Sequence, residues 1–211
     1  MSTVMAFSGS PIKGGSIEQG LRAVLEATEL DYELVRLSEL NMKVCLGCKG
    51  CASTNRCVFQ DDVNPLLEKI EGAKALVLSG YPSFSSVNAL TKVFMERNWP
   101  LRHNHIMTSG KVGAAVICGG SGMEELAGYF QLYFEQYLRT DYAGTLSLAG
   151  NVPCLSCGYG EDCPGSGFLR QYGAGARITP DKFFSFARDL DAQRRAASLG
   201  EAVARAVRQA A

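Results

Sequence analysis

The chain has no surplus of either charge, since 21 Lys and Arg stand against 21 Asp and Glu. Such a balance offers no basic stripe to track a phosphate backbone, which argues against a nucleic-acid partner. Histidine is scarce, with only His103 and His105. No Ser-His-Asp set, Cys-His set or carboxylate pair stands out, so no hydrolytic site is indicated. Apolar runs fall far short of the ~20 residues that span a membrane. The opening run Met-Ser-Thr-Val-Met-Ala-Phe-Ser lacks a charged stretch followed by a long apolar one, so no secretory signal is expected. Low-complexity linkers are missing, and nothing repeats beyond a strand–helix unit. The expectation is a single domain over residues 1–211 in a reducing, cytoplasmic compartment. Free cysteines there serve metals or redox chemistry rather than disulfides.

Cysteine itself is plentiful, at eight residues. Cys45, Cys48, Cys51 and Cys57 fall within thirteen positions, spaced C-x2-C-x2-C-x5-C. A [4Fe–4S] cube needs four thiolates around one small centre, and a single loop with short intervals can wrap it. Gly47 and Gly50 let the backbone turn between the ligands. Zinc is the main metal alternative, although structural zinc usually takes two separated Cys pairs. Structural thiols are the remaining reading. A second group, Cys154, Cys157 and Cys163, occupies a Gly- and Pro-rich extension over 151–180. With Cys118 as a fourth ligand it forms a candidate second site for a cluster or zinc, whereas Cys118 alone reads equally as core.

Strand and helix patterns alternate along the chain. Strands are expected at 3–7, 32–37, 75–78, 112–118 and 141–148. Helices are expected from Ser16 with a Ser16–Gln19 capping box, from an Asn64 cap to Gly72, and over 88–98, 123–138 and 181–211. Five such alternations make an α/β, doubly wound, five-stranded parallel sheet. The loops after its strands then gather on one edge, where such sheets bind ligands. One of them, Ser8–Ser16, has neither a Walker lysine–serine pair nor G-x-G-x-x-G. Its hydroxyls, Lys13 and the N–H groups of a following helix suit a phosphate monoester.

Gly9-Ser10-Pro11-Ile12-Lys13-Gly14-Gly15-Ser16 resembles the flavin mononucleotide phosphate loop of the NADPH-dependent FMN reductase family. The resemblance continues through Leu40, Asp61-Asp62, Phe84-Ser85-Ser86-Val87, Lys92 to Arg97 and Cys118-Gly119-Gly120. With the compact cysteine motif it is similar to that family's iron–sulfur flavoproteins, over about residues 1–150. The resemblance implies a flavodoxin-like fold, bound FMN and a [4Fe–4S] cluster on Cys45, Cys48, Cys51 and Cys57. It places Ser10, Pro11, Ile12, Lys13, Ser16 and Ile17 at the phosphate. Pro82, Ser83, Phe84, Ser85, Ser86, Gly119 and Gly120 are placed beside the ring. The family commonly has Arg, Asn and Thr where Ile12, Ser16 and Ile17 stand, and a Pro-Val-Tyr-Phe-Gly-Ser ring-side loop where 81–86 reads Tyr-Pro-Ser-Phe-Ser-Ser.

A homo-oligomer, dimer or tetramer, is implied as well, because in the family a cluster can face the flavin of a neighbouring subunit. The expected function is an oxidoreductase passing electrons between FMN and the cluster, toward a redox partner protein or small-molecule acceptor. The alternatives are a dehydrogenase or reductase of one small metabolite of aminodeoxychorismate type, and an NAD(P)H-dependent flavin or quinone reductase with a zinc loop. His103 and His105 read as a solvated loop. Tyr129, Phe130, Tyr133, Phe134 and Tyr137 read as core or an oligomer contact.

Overall fold

Two strands have every residue buried, β1 (Val4–Ser8) and, after β2 (Tyr32–Arg36), β3 (Ala75–Gly80). Unbroken apolar strands arise when both faces of a sheet are covered. The computed structural model, which describes residues 3–210, shows why. Helix α1 (Ser16–Ala27) follows β1, and α2 (Val63–Gly72) follows β2 and the cysteine loop. After β3 come the short strands β4 (Pro82–Ser83) and β5 (Ser86–Val87), then α3 (Ala89–Arg97). Next are β6 (Val112–Gly119), α4 (Met123–Leu132), β7 (Asp141–Ala149), α5 (Gly167–Tyr172) and α6 (Leu190–Gln209).

The five long strands form one parallel sheet in the order β2-β1-β3-β6-β7, the flavodoxin-like order. Side chains alternate between its faces. Met5, Phe7, Leu76, Leu78 and Ile117 join the apolar residues of α2, α3 and α4. Val4, Ala6, Val77, Ala114 and Val116 join those of α1 and α6. Because every strand runs the same way, the loops at 9–15, 37–62, 81–88, 119–122 and 150–189 all leave from one edge. Among the described residues no helix is long and apolar enough to cross a membrane.

The expected fold class is therefore present, with local corrections. The cap of α1 is Gly15, not Ser16, with no side-chain cap bond, and Glu18 reaches back to the Gly14 N–H just before it. Helix α2 starts two residues early, since the Asn64 amide is drawn to the carbonyls of Cys57 and Phe59. The helix from Met123 widens to a π turn over Tyr133–Tyr137, where Leu138 N–H reaches the Tyr133 carbonyl. Of its aromatics, Phe130, Tyr133 and Phe134 are core, and Tyr137 is exposed. The closing helix begins at Leu190 rather than 181, capped by the Asp189 side chain on the Ala192 N–H. Pro180 opens a short 3-10 turn before it, and Phe186 is pinned in the core. Ala211, at the end of the expected helix, and Met1 and Ser2 lie outside the described residues.

Candidate functional site

The first loop is anchored from beneath. Gly9 donates its N–H to Ser79 Oγ at 3.1 Å, and its carbonyl accepts from Asn88 Nδ2 at 2.9 Å. Asn88 Oδ1 in turn accepts the Tyr81 N–H at 3.1 Å and lies 3.0 Å from Thr91 Oγ1. This buried set ties the phosphate-loop candidate to the segment after β3, and the sequence reading did not single it out. Ser10 is buried and its Oγ accepts the Ile12 N–H at 3.1 Å, which folds the loop over. Lys13 and Ile12 are exposed, and Ser16 and Ile17 stand in the first turn of α1. N–H groups of a first helical turn have no intrahelical acceptor, so they are free to meet an anion.

Beneath that turn lies Glu18, with 3% of its side chain exposed. Arg36 donates to both its oxygens, at 2.8 and 2.6 Å, and Arg22 adds two further bonds. The Arg36 guanidinium above all, then the Gly14 N–H and Arg22, outweigh burial and hold the Glu18 carboxyl down at about 2. Two guanidiniums neutralise the carboxylate, so Lys13 keeps the loop attractive to a phosphate. The residues present therefore fit an FMN phosphate. In the loop expected to flank the ring, β4 and β5 pair as a two-residue hairpin with Phe84 and Ser85 both at positive φ. Phe84 projects fully into solvent at its tip, Pro82 lies over Gly119, and Gly120 opens beside Val152.

The four cysteines of the second loop line one cavity of about 270 Å³, together with Arg97, Trp99 and His103. Arg97 closes it from the protein side. Its Nη2 donates to Cys57 Sγ at 3.4 Å and to Asp61 Oδ1 at 3.0 Å, and its Nη1 donates to the Lys43 carbonyl at 2.8 Å. Asp61 also accepts the Lys43 N–H at 2.9 Å, so one buried ion pair holds the two ends of the loop together. Burial alone would raise the Asp61 carboxyl, but the Arg97 and Lys43 hydrogen bonds outweigh it and keep it below the usual carboxylate range. Arg97 Nε is buried without a partner. A fully buried cation aimed at a thiol suits an anionic, thiolate-rich centre.

Among the described residues no three His, Cys, Asp or Glu side chains are gathered closely enough to hold a single metal ion. A lone tetrahedral ion with bonds of ~2.3 Å needs its sulfurs nearly in contact. Four thiols lining one cavity are the ligand count that either a cube or a zinc ion takes. Cys118 takes a different position. Its Sγ lies 3.0 Å from the Ala149 carbonyl, and burial pushes its thiol up to about 11. In the extension, the Phe168 and Gly167 N–H groups draw the Cys154 thiol below its ordinary value. His103, expected to be solvated, instead stacks on Trp99 with ring centroids 5.5 Å apart at the cysteine cavity. Arg97 was also legible in principle, since it falls three residues after buried Phe94 on the same face of α3.

Residues 2–145 match the NADPH-dependent FMN reductase family. A protein of Methanocaldococcus jannaschii named iron-sulfur flavoprotein is 32% identical over 122 residues, covering 56% of this chain and 62% of the relative. One of the same name from Methanosarcina thermophila is 29% identical over 121 residues, 56% of this chain and 63% of its own length. The chain thus spans about three fifths of these curated relatives. Among solved structures, RosB with a bound riboflavin-phosphate intermediate superposes with a TM-score of 0.67 at 12% identity, over 99% of this chain and 80% of that one. A WrbA-like flavodoxin from Agrobacterium tumefaciens gives 0.57 at 14% identity, over all of both chains. At such identities these likenesses speak to the fold alone, and the sequence match carries the assignment: this chain belongs to the NADPH-dependent FMN reductase family, on the branch whose curated members are named iron-sulfur flavoproteins.

Proposed function

We propose that the protein is an FMN-dependent oxidoreductase that passes electrons between its flavin and a [4Fe–4S] cluster on Cys45, Cys48, Cys51 and Cys57. When bound, a flavin exchanges electron pairs as hydride and a cube exchanges single electrons. The observation that carries this reading is the cavity lined by all four thiols and closed by the buried Arg97–Asp61 pair. The chain's own part is to hold. Ser10, Lys13, Ser16 and the first turn of α1 take the phosphate. Pro82–Ser86 and Gly119–Gly120 flank the ring, and Arg97 offsets the negative charge of four thiolates. Exposed Val44, Leu46, Val58 and Trp99 lie along the cysteine loop and its cavity. Such apolar exposure supports a second copy of the chain covering the cluster.

A second reading, a reductase of one aromatic anion, is favoured by a neighbouring cavity of about 290 Å³. It is lined by Lys92, Arg102, Tyr129 and Tyr137, and shares Glu96 and Trp99 with the cysteine cavity. Two cations among phenol rings suit an aromatic carboxylate.

Anaerobic purification with iron, sulfide, zinc and flavin analysis tests the first reading. Cys48→Ser should lose about four iron and the broad visible absorption of a cube while keeping its flavin. Stoichiometric zinc without labile sulfide in the wild type would overturn it. Reoxidation of the reduced protein by oxygen, quinones and ferredoxin, beside chorismate derivatives, separates the two readings. A carrier reacts with several acceptors at similar rates, whereas a single metabolite faster by orders of magnitude supports the second.

A further inference from the structure

We infer that the cavity beside the cysteine loop binds an aromatic monocarboxylate: Arg102 holds the one carboxylate, and Glu96 turns a second away. The cavity is the one behind the second reading, on which this ligand class rests. Its walls are the end of α3, the short 3-10 turn Trp99–Arg102, and the far half of the helix that begins at Met123. Tyr129 and Tyr133 stand four residues apart on one face of that helix. A π turn rotates each residue through less than an α turn does, so Tyr137 comes back to the same face after four more. All three phenol rings therefore line the cavity. Such π turns are found often at functional sites. Asn98 Nδ2 donates to the Tyr133 hydroxyl at 2.7 Å with both residues buried, which fixes that wall.

Three charged side chains line the cavity, and they are not equivalent. Lys92 is already engaged. Its Nζ donates to the Tyr129 hydroxyl at 3.1 Å and stands 3.4 Å from the Glu96 carboxylate. Arg102 has no such partner. Its guanidinium lies 5.1 Å from the centre of the Trp99 ring and 5.2 Å from that of Tyr137. Two aromatic faces hold a cation in place without neutralising it. Among the described residues no carboxylate pairs with it. A guanidinium held in this way keeps its fork of N–H groups for a carboxylate, which it can meet with two parallel hydrogen bonds.

Once Lys92 and Glu96 cancel, one positive charge is left over. One carboxylate on the ligand balances it. A second would meet the Glu96 charge with no cation to spare, and like charges repel strongly in a partly desolvated cavity. The remainder of the ligand should be flat and apolar, because the phenol and indole rings, with Met95 and Leu138, make up most of the other lining.

The chain's single tryptophan lines the cavity, so Trp99 fluorescence reports binding directly, beside calorimetry on the anaerobically purified protein with its flavin and metal. Benzoate should bind saturably, and terephthalate, with two carboxylates on the same ring, about tenfold more weakly. Cyclohexanecarboxylate keeps the charge without the flat ring and should also bind more weakly. Arg102→Gln should lose about tenfold or more in benzoate affinity, the worth of hydrogen bonds to a charged group, at unchanged iron and flavin content. Glu96→Gln frees Lys92 and should let terephthalate bind as well as benzoate. The inference is overturned by no saturable benzoate binding, by wild-type benzoate affinity in Arg102→Gln, or by wild-type protein that binds terephthalate or cyclohexanecarboxylate as tightly as benzoate. Monocarboxylates bound but never reduced would uphold it and remove only the reductase reading. Reduction of an aromatic dicarboxylate in preference to monocarboxylates would do the reverse.

Discussion

Arg97 and Asp61 form an ion pair in which each side chain is only 1% exposed, and the pair joins the entry of the cysteine loop to its exit. Asp61 binds the Lys43 N–H while Arg97 binds the Lys43 carbonyl and Cys57 Sγ. Removing one partner of a buried pair strands the other charge, at a cost of about 3–5 kcal/mol. Asp61→Asn should therefore lower urea stability by that amount and release iron from the first loop. Arg97→Lys keeps the charge but loses the fork that reaches Asp61 and Cys57 together, so iron retention should fall between wild type and Asp61→Asn. An Asp61→Asn protein of wild-type stability and iron content would refute the clamp.

The phosphate-loop assignment is tested by placing a charge where a dianion should rest. Ser10 is buried at the turn, with its Oγ on the Ile12 N–H. Ser10→Asp sets a carboxylate against the phosphate, and like charges in a partly desolvated site repel by several kcal/mol at roughly 4 Å. Flavin should be lost while the iron of the cysteine loop stays. Flavin retained at one per chain would move the phosphate elsewhere.

Regular elements were legible because buried strands and amphipathic helices impose periods on the sequence. The apolar run at 75–78 and the 3.6-residue spacing of Leu21, Val24 and Leu25 announced themselves. Features decided by one particular hydrogen bond or backbone turn were not. Gly15 rather than Ser16 caps α1, and the Glu18 side chain reaches back to the Gly14 N–H just before it. The 81–88 hairpin hid behind Phe84 and Ser85, residue types that rarely adopt positive φ. At the candidate site, the grouping of the four cysteines was visible from spacing alone. Their clamp was not, since Asp61 and Arg97 are 36 residues apart and meet only through the fold.

Glu18 predicts part of the acid limb of stability. Its carboxyl is lowered from 4.5 to about 2, chiefly by Arg36. A carboxyl with a depressed folded-state pKa contributes its full stabilisation above pH 4.5. That contribution fades as pH falls toward about 2, because the unfolded chain takes up the proton first. Glu18→Gln should cost about 1.5–3 kcal/mol at neutral pH, the worth of hydrogen bonds to a charged group. The gap between variant and wild type should then close across that acid window. Urea midpoints across the window check it, and a gap that stays constant with pH would show that the Glu18 charge does not supply the stabilisation.

Gly9 carries the sharpest steric demand at the candidate flavin site. A Cβ there would fall on both Thr91 Oγ1 and the Ser79 carbonyl. Thr91 is a side chain and can be trimmed, but the Ser79 carbonyl belongs to buried β3, paired on both sides within the sheet. Gly9→Ala must therefore push the first loop away from Asn88 and Ser79, breaking the hydrogen bonds at 2.9 and 3.1 Å that position Ser10 and Lys13. Overpacking of this kind costs about 1–3 kcal/mol. Flavin affinity should fall together with stability. Adding Thr91→Ala removes one clash and leaves the other, so the double variant should recover only part of the loss. Full recovery of flavin binding in the double variant would assign the constraint to Thr91 alone, and an unimpaired Gly9→Ala protein would show that this close approach does not set the loop.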